Sequence, residues 1–360
     1  MDKIKIAHIT SVHRHNDTRI FLKQCISLSK HYEVHLINKE YTGIKNNIIF
    51  RKANFLKKPI LRIITSWIIA LCNTIGYGYK SIQFHDPELI FAAPIWRLFG
   101  IKVIYDVHEN YSRQLETKDY IPNIFKFLIK ILIISTEKIY SLMVNKIIIV
   151  HKDLNPNLNK LKKHDVISNA PLTNYKFKYR ERTKQFCYIG LISKQRGLVH
   201  IAKALNKLNI KFIIAGVFAN EIIKKELLDL ENVEYIGYID DTEKIELISK
   251  SLCGCCTFLP IDHHLISNPN KIYEYLNYGT PVICSNFKAY KEVIPNSMQF
   301  IHYCNIENEE ETINTIKKII KFDDKTINHH GELGHNFINE NYNWNFEEKK
   351  LIKIYYNLLN

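Results

Sequence analysis

Asn268 to Phe287, NPNKIYEYLNYGTPVICSNF, is the stretch whose reading decides the fold. Asn268 is a good helix N-cap and Pro269 a good first helical residue, so a helix is expected from here to about Tyr278. Gly279 ends it. Gly279-Thr280-Pro281 then turns the chain into Val282-Ile283-Cys284-Ser285, an apolar run of the length that fills a buried parallel strand. Lys271 and Glu274, three apart, share one helix face, while Ile272 and Leu276, four apart, share another that can pack inward. A lysine in the first turn opposes the positive end of the helix dipole unless an anion docks there, and Asn268, Asn270 and the free N–H groups beside it would then complete a phosphate site. The competing reading is an exposed Lys–Glu pair worth roughly a few tenths of a kcal/mol.

The same strand–helix alternation extends on both sides. Downstream of a linker at 171–184, strands are expected at Gln185–Ile189, Lys211–Ile214, Val233–Ile236, Leu252–Leu259 and Val282–Ser285. The first of them runs into Gly190-Leu-Ile-Ser-Lys194-Gln-Arg196-Gly197, which places Lys194 and Arg196 at the start of a helix, again where phosphate binds well. Upstream, strands are expected at Lys5–Ile9, Glu33–Ile37, Ile48–Arg51, Ser81–Phe84, Lys102–Tyr105, Lys146–Val150 and Asp165–Ser168, with a helix over Thr18–Lys30. Three polar clusters follow strands of this half: His13, Asp17 and Arg19; His85, Asp86 and Glu88; and Asp106, His108, Glu109 and Asn110. In open parallel sheets ligands bind beyond the carboxyl ends of the strands, so the three clusters read as one wall of a cleft. One such cluster alone could be capping chemistry, since Asp86 before Pro87 is also a good N-cap, and a lone histidine is more often structural. The expected fold class is α/β, with two doubly wound Rossmann-like domains, 1–170 and 185–340, facing a central cleft, followed by a carboxyl-terminal helix at 341–360.

Composition limits the partners. The 360 residues suffice for two domains with proper cores, and 46% hydrophobic with 24% charged residues describes a globular chain rather than a disordered one. A net charge of +14 points to an anionic partner: nucleic acid, a nucleotide-type substrate or an acidic membrane surface. No zinc-finger spacing, RNP-like aromatic motif or basic heptad is present, which speaks against nucleic acid. MDKIKIAHIT enters a strand without the order of a signal peptide, so a cytoplasmic location is expected. The eight cysteines fall mostly in apolar runs, as reduced core thiols do; Cys253 and Cys256 have CxxC spacing but sit inside a strand-like segment. Leu56–Ile75 and Ile121–Val150 are apolar, lysine-bearing segments too interrupted to span a bilayer. They read either as helices lying on an anionic membrane or as helices packed against a sheet with their lysines solvated.

The chain resembles the retaining GT-B glycosyltransferases of family 4, in the branch that builds bacterial surface polysaccharide such as O-antigen or capsule. Lys271 to Ile283, KIYEYLNYGTPVI, is similar to the donor-binding signature of that family, and TSVHRHNDTRIF, FHDPEL and VIYDVHENY are similar to its amino-terminal motifs. The resemblance implies that Glu274 holds the ribose hydroxyls of a nucleotide-sugar, that Arg196 and Lys194 meet its diphosphate, and that His108 lines the active site beside the donor sugar. His85 and Asp86, with His13, Asp17, Arg19, Asp106 and Glu109, would then border donor and acceptor. The resemblance also implies that the carboxyl-terminal helix at 341–360 crosses back to the first domain. Three positions depart from the family pattern: Ile266 stands where a glutamate is usual, Leu191 where an arginine is usual, and the first loop has no glycine.

The implied reaction moves a sugar to a hydroxyl of a saccharide acceptor, carried on a polyprenyl diphosphate at the inner face of the cell membrane. The nucleotide-sugar is a co-substrate, no acidic pair has cation spacing, and neither metal nor cofactor is expected. A 2-epimerase acting on UDP-GlcNAc, which shares the architecture, and a non-catalytic scaffold remain as alternatives. A dinucleotide-dependent oxidoreductase is disfavoured because no GxGxxG follows a strand.

Overall fold

The computed structural model describes residues 3–107, 123–151, 158, 163–172, 175–261, 264–265 and 270–360, with the backbone alone for 59–60, 123–125 and 128. The chain forms two compact units, Met1–Asn169 with Trp344–Asn360, and Ala170–Asn343.

The first unit is built on eight strands: β1 (Lys5–Ile9), β2 (Glu33–Asn38), β3 (Gly43–Lys45), β4 (Ile48–Lys52), β5 (Ser81–Phe84), β6 (Lys102–Val107), β7 (Lys146–Ile149) and β8 (His164–Val166). Their order is β3-β4-β2-β1-β5-β6-β7-β8, parallel except for β3. The chain winds outward from β1 through β2 to β4 and then returns to β5 on the other side of β1. The carboxyl ends of β1 and β5 therefore flank a topological switch point, where open sheets place their loops for binding. Sequence patterning gives no strand at β3. Its signal lies in the turn, because Asn46 and Asn47 both adopt positive φ, 50° and 61°, the conformation of a tight hairpin and one asparagine tolerates.

The Thr18–Cys25 segment is a helix as expected, but a π-helix, with the amides of both Phe21 and Leu22 reaching the Asp17 carbonyl; α winding resumes at Ile26–Ser29. The wider turn puts residues five apart on one face, which brings Arg19 and Gln24 to the same carboxylate, described below. The final helix, Trp344–Leu359, belongs to this unit: the Trp344 indole donates to Ser27 Oγ at 2.8 Å, and Tyr355 is buried.

The second unit carries β9 (Thr183–Ile192), β10 (Lys211–Phe218), β11 (Val233–Tyr235), β12 (Ser251–Cys256), β13 (Val282–Ser285) and β14 (Ile301–Cys304). All are parallel, in the order β11-β10-β9-β12-β13-β14, so its switch point lies between β9 and β12. The end of the expected linker is not solvated. Arg182 is buried, donates to the carbonyls of Ser249, Ser251 and Gly279 and to Asn328 Oδ1, and burial lowers its pKa to about 10. Cys253 and Cys256 are both buried in β12, in different core clusters on the sheet's two faces, so the CxxC spacing is that of a strand and brings no chelating pair together. Among the described residues no group of three His, Cys, Asp or Glu side chains could hold a metal ion.

The two apolar, lysine-bearing segments contain the helices Pro59–Thr74 and Asn123–Ser141. In the first, the inward side is small and hydroxylated, with Ser66, Ala70 and Thr74 buried, while Leu61, Ile63, Ile64 and Ile68 are exposed. Phe127, Ile131, Leu132 and Ile139 of the second are exposed as well. A groove of about 520 Å³ lies along this face, lined by Ile63, Ile64, Trp67, Ile68, Phe91 and Tyr140 among others. No described helix is long and apolar enough to cross a membrane.

Candidate functional site

In the second unit the site is built on the helix Asn270–Asn277. Ile272, Tyr273, Tyr275 and Leu276 are buried, which anchors the helix and leaves Lys271 and Glu274 on the other face. The described helix begins at exposed Asn270; Asn268, Pro269 and Ile266 lie outside the described residues. Glu274 is held from two directions. Lys271 Nζ lies 3.0 Å from Oε2, and Lys244 Nζ, from the helix Asp241–Lys250, lies 3.2 Å from Oε1 and 2.7 Å from Asp241 Oδ1. Burial alone would raise the Glu274 pKa, but the two lysines hold it below the usual carboxylate range. Glu274 keeps 25% of its side chain exposed, so the carboxylate remains reachable.

The loop after β9 faces the same lysine. A Cβ placed on Gly190 would lie 3.1 Å from Lys271 Cε and 3.3 Å from Nζ, so the glycine leaves the cation room. At the other end of the loop Gly197 has φ 65°, and a Cβ there would lie 1.9 Å from the Thr257 carbonyl oxygen; no side chain fits. This close approach seats the helix Leu198–Asn206 against the end of β12. Between the glycines, Lys194 is exposed, and Arg196 stacks its guanidinium 4.2 Å above the Phe258 ring. Tyr188 on β9 donates its hydroxyl to the Leu191 carbonyl of this loop at 2.8 Å, and burial pushes its pKa above the ordinary range. The arrangement is a carboxylate able to accept from hydroxyl groups, beside cations able to receive an anion at a helix start.

The strand-end residues of the first unit divide into two sets. His13 bridges two carboxylates, with Nδ1 3.3 Å from Asp17 Oδ2 and Nε2 3.5 Å from Asp86 Oδ1. Asp17 Oδ1 caps the π-helix by accepting from the amides of Arg19 and Ile20, and Asp86 Oδ2 accepts from Thr10 Oγ1 at 2.7 Å and the Ser11 amide at 2.6 Å. Asp86 is thus a loop-organising carboxylate, itself buried, while His13 and Asp17 are partly exposed.

Arg19, His85 and Asp106 form the second set, and all three are buried rather than open at the strand ends. Arg19 donates twice to Asp106, at 2.7 and 3.1 Å, and Gln24 donates to it at 2.9 Å. His85 Nδ1 lies 3.0 Å from the same carboxylate, and its Nε2 3.1 Å from His8 Nδ1. Tyr355 closes the chain, 3.2 Å from His8 Nε2 and donating to Gln83 Oε1. Burial and the neighbouring His85 drive the His8 pKa well below the ordinary histidine value. Asp106 is held well below the carboxylate range: burial opposes ionisation, and Arg19 and His85 overcome it. His108, Glu109 and Asn110, expected beside this network, lie outside the described residues.

Sequence reasoning missed Lys244, His8, Gln24 and Phe258. Phe258 could have been found, since it follows the strand beside the switch point. Nothing local links Lys244 to a glutamate thirty positions away.

Residues 173–344 match the family described as Glycosyl transferases group 1. No curated protein sequence matches the chain. Solved structures share the fold over its whole length. Sucrose-phosphate synthase from Thermosynechococcus elongatus aligns with TM-score 0.74 at 11% identity, covering 99% of both chains. A glycosyltransferase from Rickettsia africae aligns with TM-score 0.71 at 15% identity, covering 100% of this chain and 99% of that one. A UDP-forming α,α-trehalose-phosphate synthase from Burkholderia xenovorans gives 0.69 at 11% identity over all of both chains. The two parallel-sheet units are those of the GT-B fold.

Proposed function

We propose, from the premise that residues 173–344 are a Glycosyl transferases group 1 domain in a chain of GT-B fold, that this glycosyltransferase moves a sugar from a nucleotide-sugar to a hydroxyl of a lipid-linked saccharide. The observation that carries the donor half is Glu274, a reachable carboxylate kept ionised by Lys271 and Lys244 beside a glycine-bounded basic loop. Its two oxygens suit the vicinal hydroxyls of a ribose. Lys271, Arg196, Lys194 and the amides at the start of the Leu198–Asn206 helix supply positive potential where a departing diphosphate gains charge. The reaction retains anomeric configuration, the leaving phosphate takes the acceptor proton, and His108 orients the donor sugar.

For the acceptor, the support is the exposed apolar side of Pro59–Thr74 and Asn123–Ser141 with its groove, together with Lys57, Lys58, Lys126, Lys130 and Lys138 along these segments. Apolar side chains beside cations suit the hydrocarbon and phosphates of an anionic membrane, from which a lipid-linked acceptor in surface-polysaccharide assembly would be drawn. A phosphorylated sugar is the second reading: the net charge of +14 suits it equally, and two of the proteins sharing the fold are named for phosphorylated disaccharides.

A thermal-shift series with UDP-, GDP-, dTDP- and CMP-sugars tests the donor half. One nucleotide class stabilises the wild type and not Glu274→Ala; no shift with any of them removes the reading. Vesicle co-sedimentation tests the acceptor half. The protein pellets with anionic vesicles at low salt, Ile64→Asp and Leu132→Asp weaken this, and failure of the wild type to bind favours the phosphorylated sugar.

A further inference from the structure

We propose that Lys244 is a positioning residue of the donor site, holding Glu274 by the oxygen that Lys271 does not touch and so leaving Lys271 to the donor's diphosphate. The inference rests on the donor reading above. It starts from a competition, because Lys271 stands both against Glu274 Oε2 and against Gly190 of the basic loop. A diphosphate arriving at that loop draws the Lys271 ammonium toward itself. Glu274 would then be a largely buried carboxylate beside two further negative charges, and its ionised form would be disfavoured. Lys244 prevents this, since its contact is with the other oxygen and comes from a different element.

That element is well anchored. Asp240 Oδ1 accepts from the amides of Thr242 and Glu243 at 2.8 and 2.9 Å, and Glu243 Oε2 accepts from the Asp240 amide, a complete capping box directly before Lys244. Asp241 holds the Lys244 ammonium at 2.7 Å, so the lysine is aimed rather than free to swing. With one lysine on each oxygen, Glu274 still has acceptor capacity on both for a pair of hydroxyls.

The groups facing Glu274 are Lys271 and Tyr275 from its own helix, Lys244 from the Asp241–Lys250 helix with Asp241 against that lysine, Cys187 and Tyr188 from β9, and Tyr278 just past the helix end. Burial raises Cys187 to about 12 and pushes the three tyrosines above their ordinary range, so none of these four titrates near neutrality. The Lys244 pKa is raised: burial opposes its charge, but Glu274 and Asp241 outweigh that, and the lysine stays cationic throughout. Loss of Lys244 therefore acts through Glu274, whose pKa rises.

The test uses the full chain and calorimetric titration with the nucleotide-sugar that stabilises the wild type. Lys244→Met lowers affinity about tenfold near pH 7 and loses severalfold more near pH 5, whereas wild type changes by less than about twofold across that interval. Lys244→Arg restores most of the affinity and the flat pH response, which a merely structural role would not produce. Wild-type affinity and pH response in Lys244→Met, with Glu274→Gln severely impaired, overturns the inference and keeps the donor site. Undiminished binding in Glu274→Gln, or no binding of any nucleotide-sugar by the wild type, overturns both.

Discussion

Asp106 in the first unit and Glu274 in the second are the same device in two settings. Each is a carboxylate facing two basic side chains, Arg19 and His85 for the one, Lys271 and Lys244 for the other, and each is held below the ordinary carboxylate range. They differ in access. Asp106 is buried and accepts hydrogen bonds from Arg19, Gln24 and His85, and a saturated interior network of this kind fixes one arrangement of the chain. Glu274 has a quarter of its side chain in solvent, and one of its two partners, Lys271, is a flexible lysine able to move toward a ligand. Carboxylate chemistry alone does not say which is which; exposure does.

The sharpest way to break that contrast is Asp106→Ala. Removing the carboxylate leaves the Arg19 guanidinium buried without its counter-charge, which costs about 3–5 kcal/mol. For a unit of this size the melting temperature should fall by roughly 10 °C, measured by calorimetry. A loss no larger than that of Glu274→Ala would mean that the network is not holding the first unit.

Acid separates the regions next. His8 has a folded-state pKa well below its unfolded value of about 6.5, so as pH falls through 6.5 the unfolded chain takes up a proton that the folded chain refuses. Stability then drops by up to about 1.4 kcal/mol per pH unit for each such histidine. His302 in the second unit, lowered by burial to about 4, adds a loss of the same sign. Asp106 contributes nothing in this window: its stabilisation is complete above its unfolded pKa and fades only as pH falls through the depressed folded value. Glu274 likewise stays ionised. Urea unfolding should therefore weaken between about pH 6.5 and 5 while nucleotide-sugar affinity stays nearly flat, and parallel loss of both would join what the comparison separates.

The contrast also marks how far the sequence could be read. Alternation of apolar runs with helical segments announced two parallel sheets, because strands buried on both faces leave continuous apolar runs that no other element explains. Asn270–Ser285 was legible down to Lys271 and Glu274, since helix spacing is local and Gly279 marks the stop. Burial of polar groups was not legible. His85 and Asp106 stand at strand ends as site residues do, and only the π winding that brings Arg19 and Gln24 to one carboxylate, with Tyr355 from the final helix, turns them inward. Lys244 is the converse case: an ordinary helix-surface lysine in sequence, it gains meaning from a contact across thirty residues. The apolar side of Pro59–Thr74 was readable as apolar, but that its hydroxyl side faces inward depends on packing partners such as Trp96, whose indole donates to Thr74 Oγ1.

The smallest expected effect is the stability change in Glu274→Ala. The helix is anchored by Ile272, Tyr275 and Leu276, none of which contributes to the ion pairs, and partly exposed pairs contribute about 1 kcal/mol or less. Lys271 and Lys244 lose their shared counter-charge, but Asp241 still holds Lys244 and solvent reaches Lys271. The melting temperature should thus move by no more than about 3 °C. The variant separates the site's two halves as well. Inorganic pyrophosphate, which needs only the cations, should stabilise Glu274→Ala about as much as wild type, because Lys271, Lys194 and Arg196 remain. The additional stabilisation given by the nucleotide-sugar should be gone, because the hydroxyl acceptor is gone. If pyrophosphate loses its effect too, Glu274 is acting as Asp106 does, to hold an arrangement together rather than to receive a ligand.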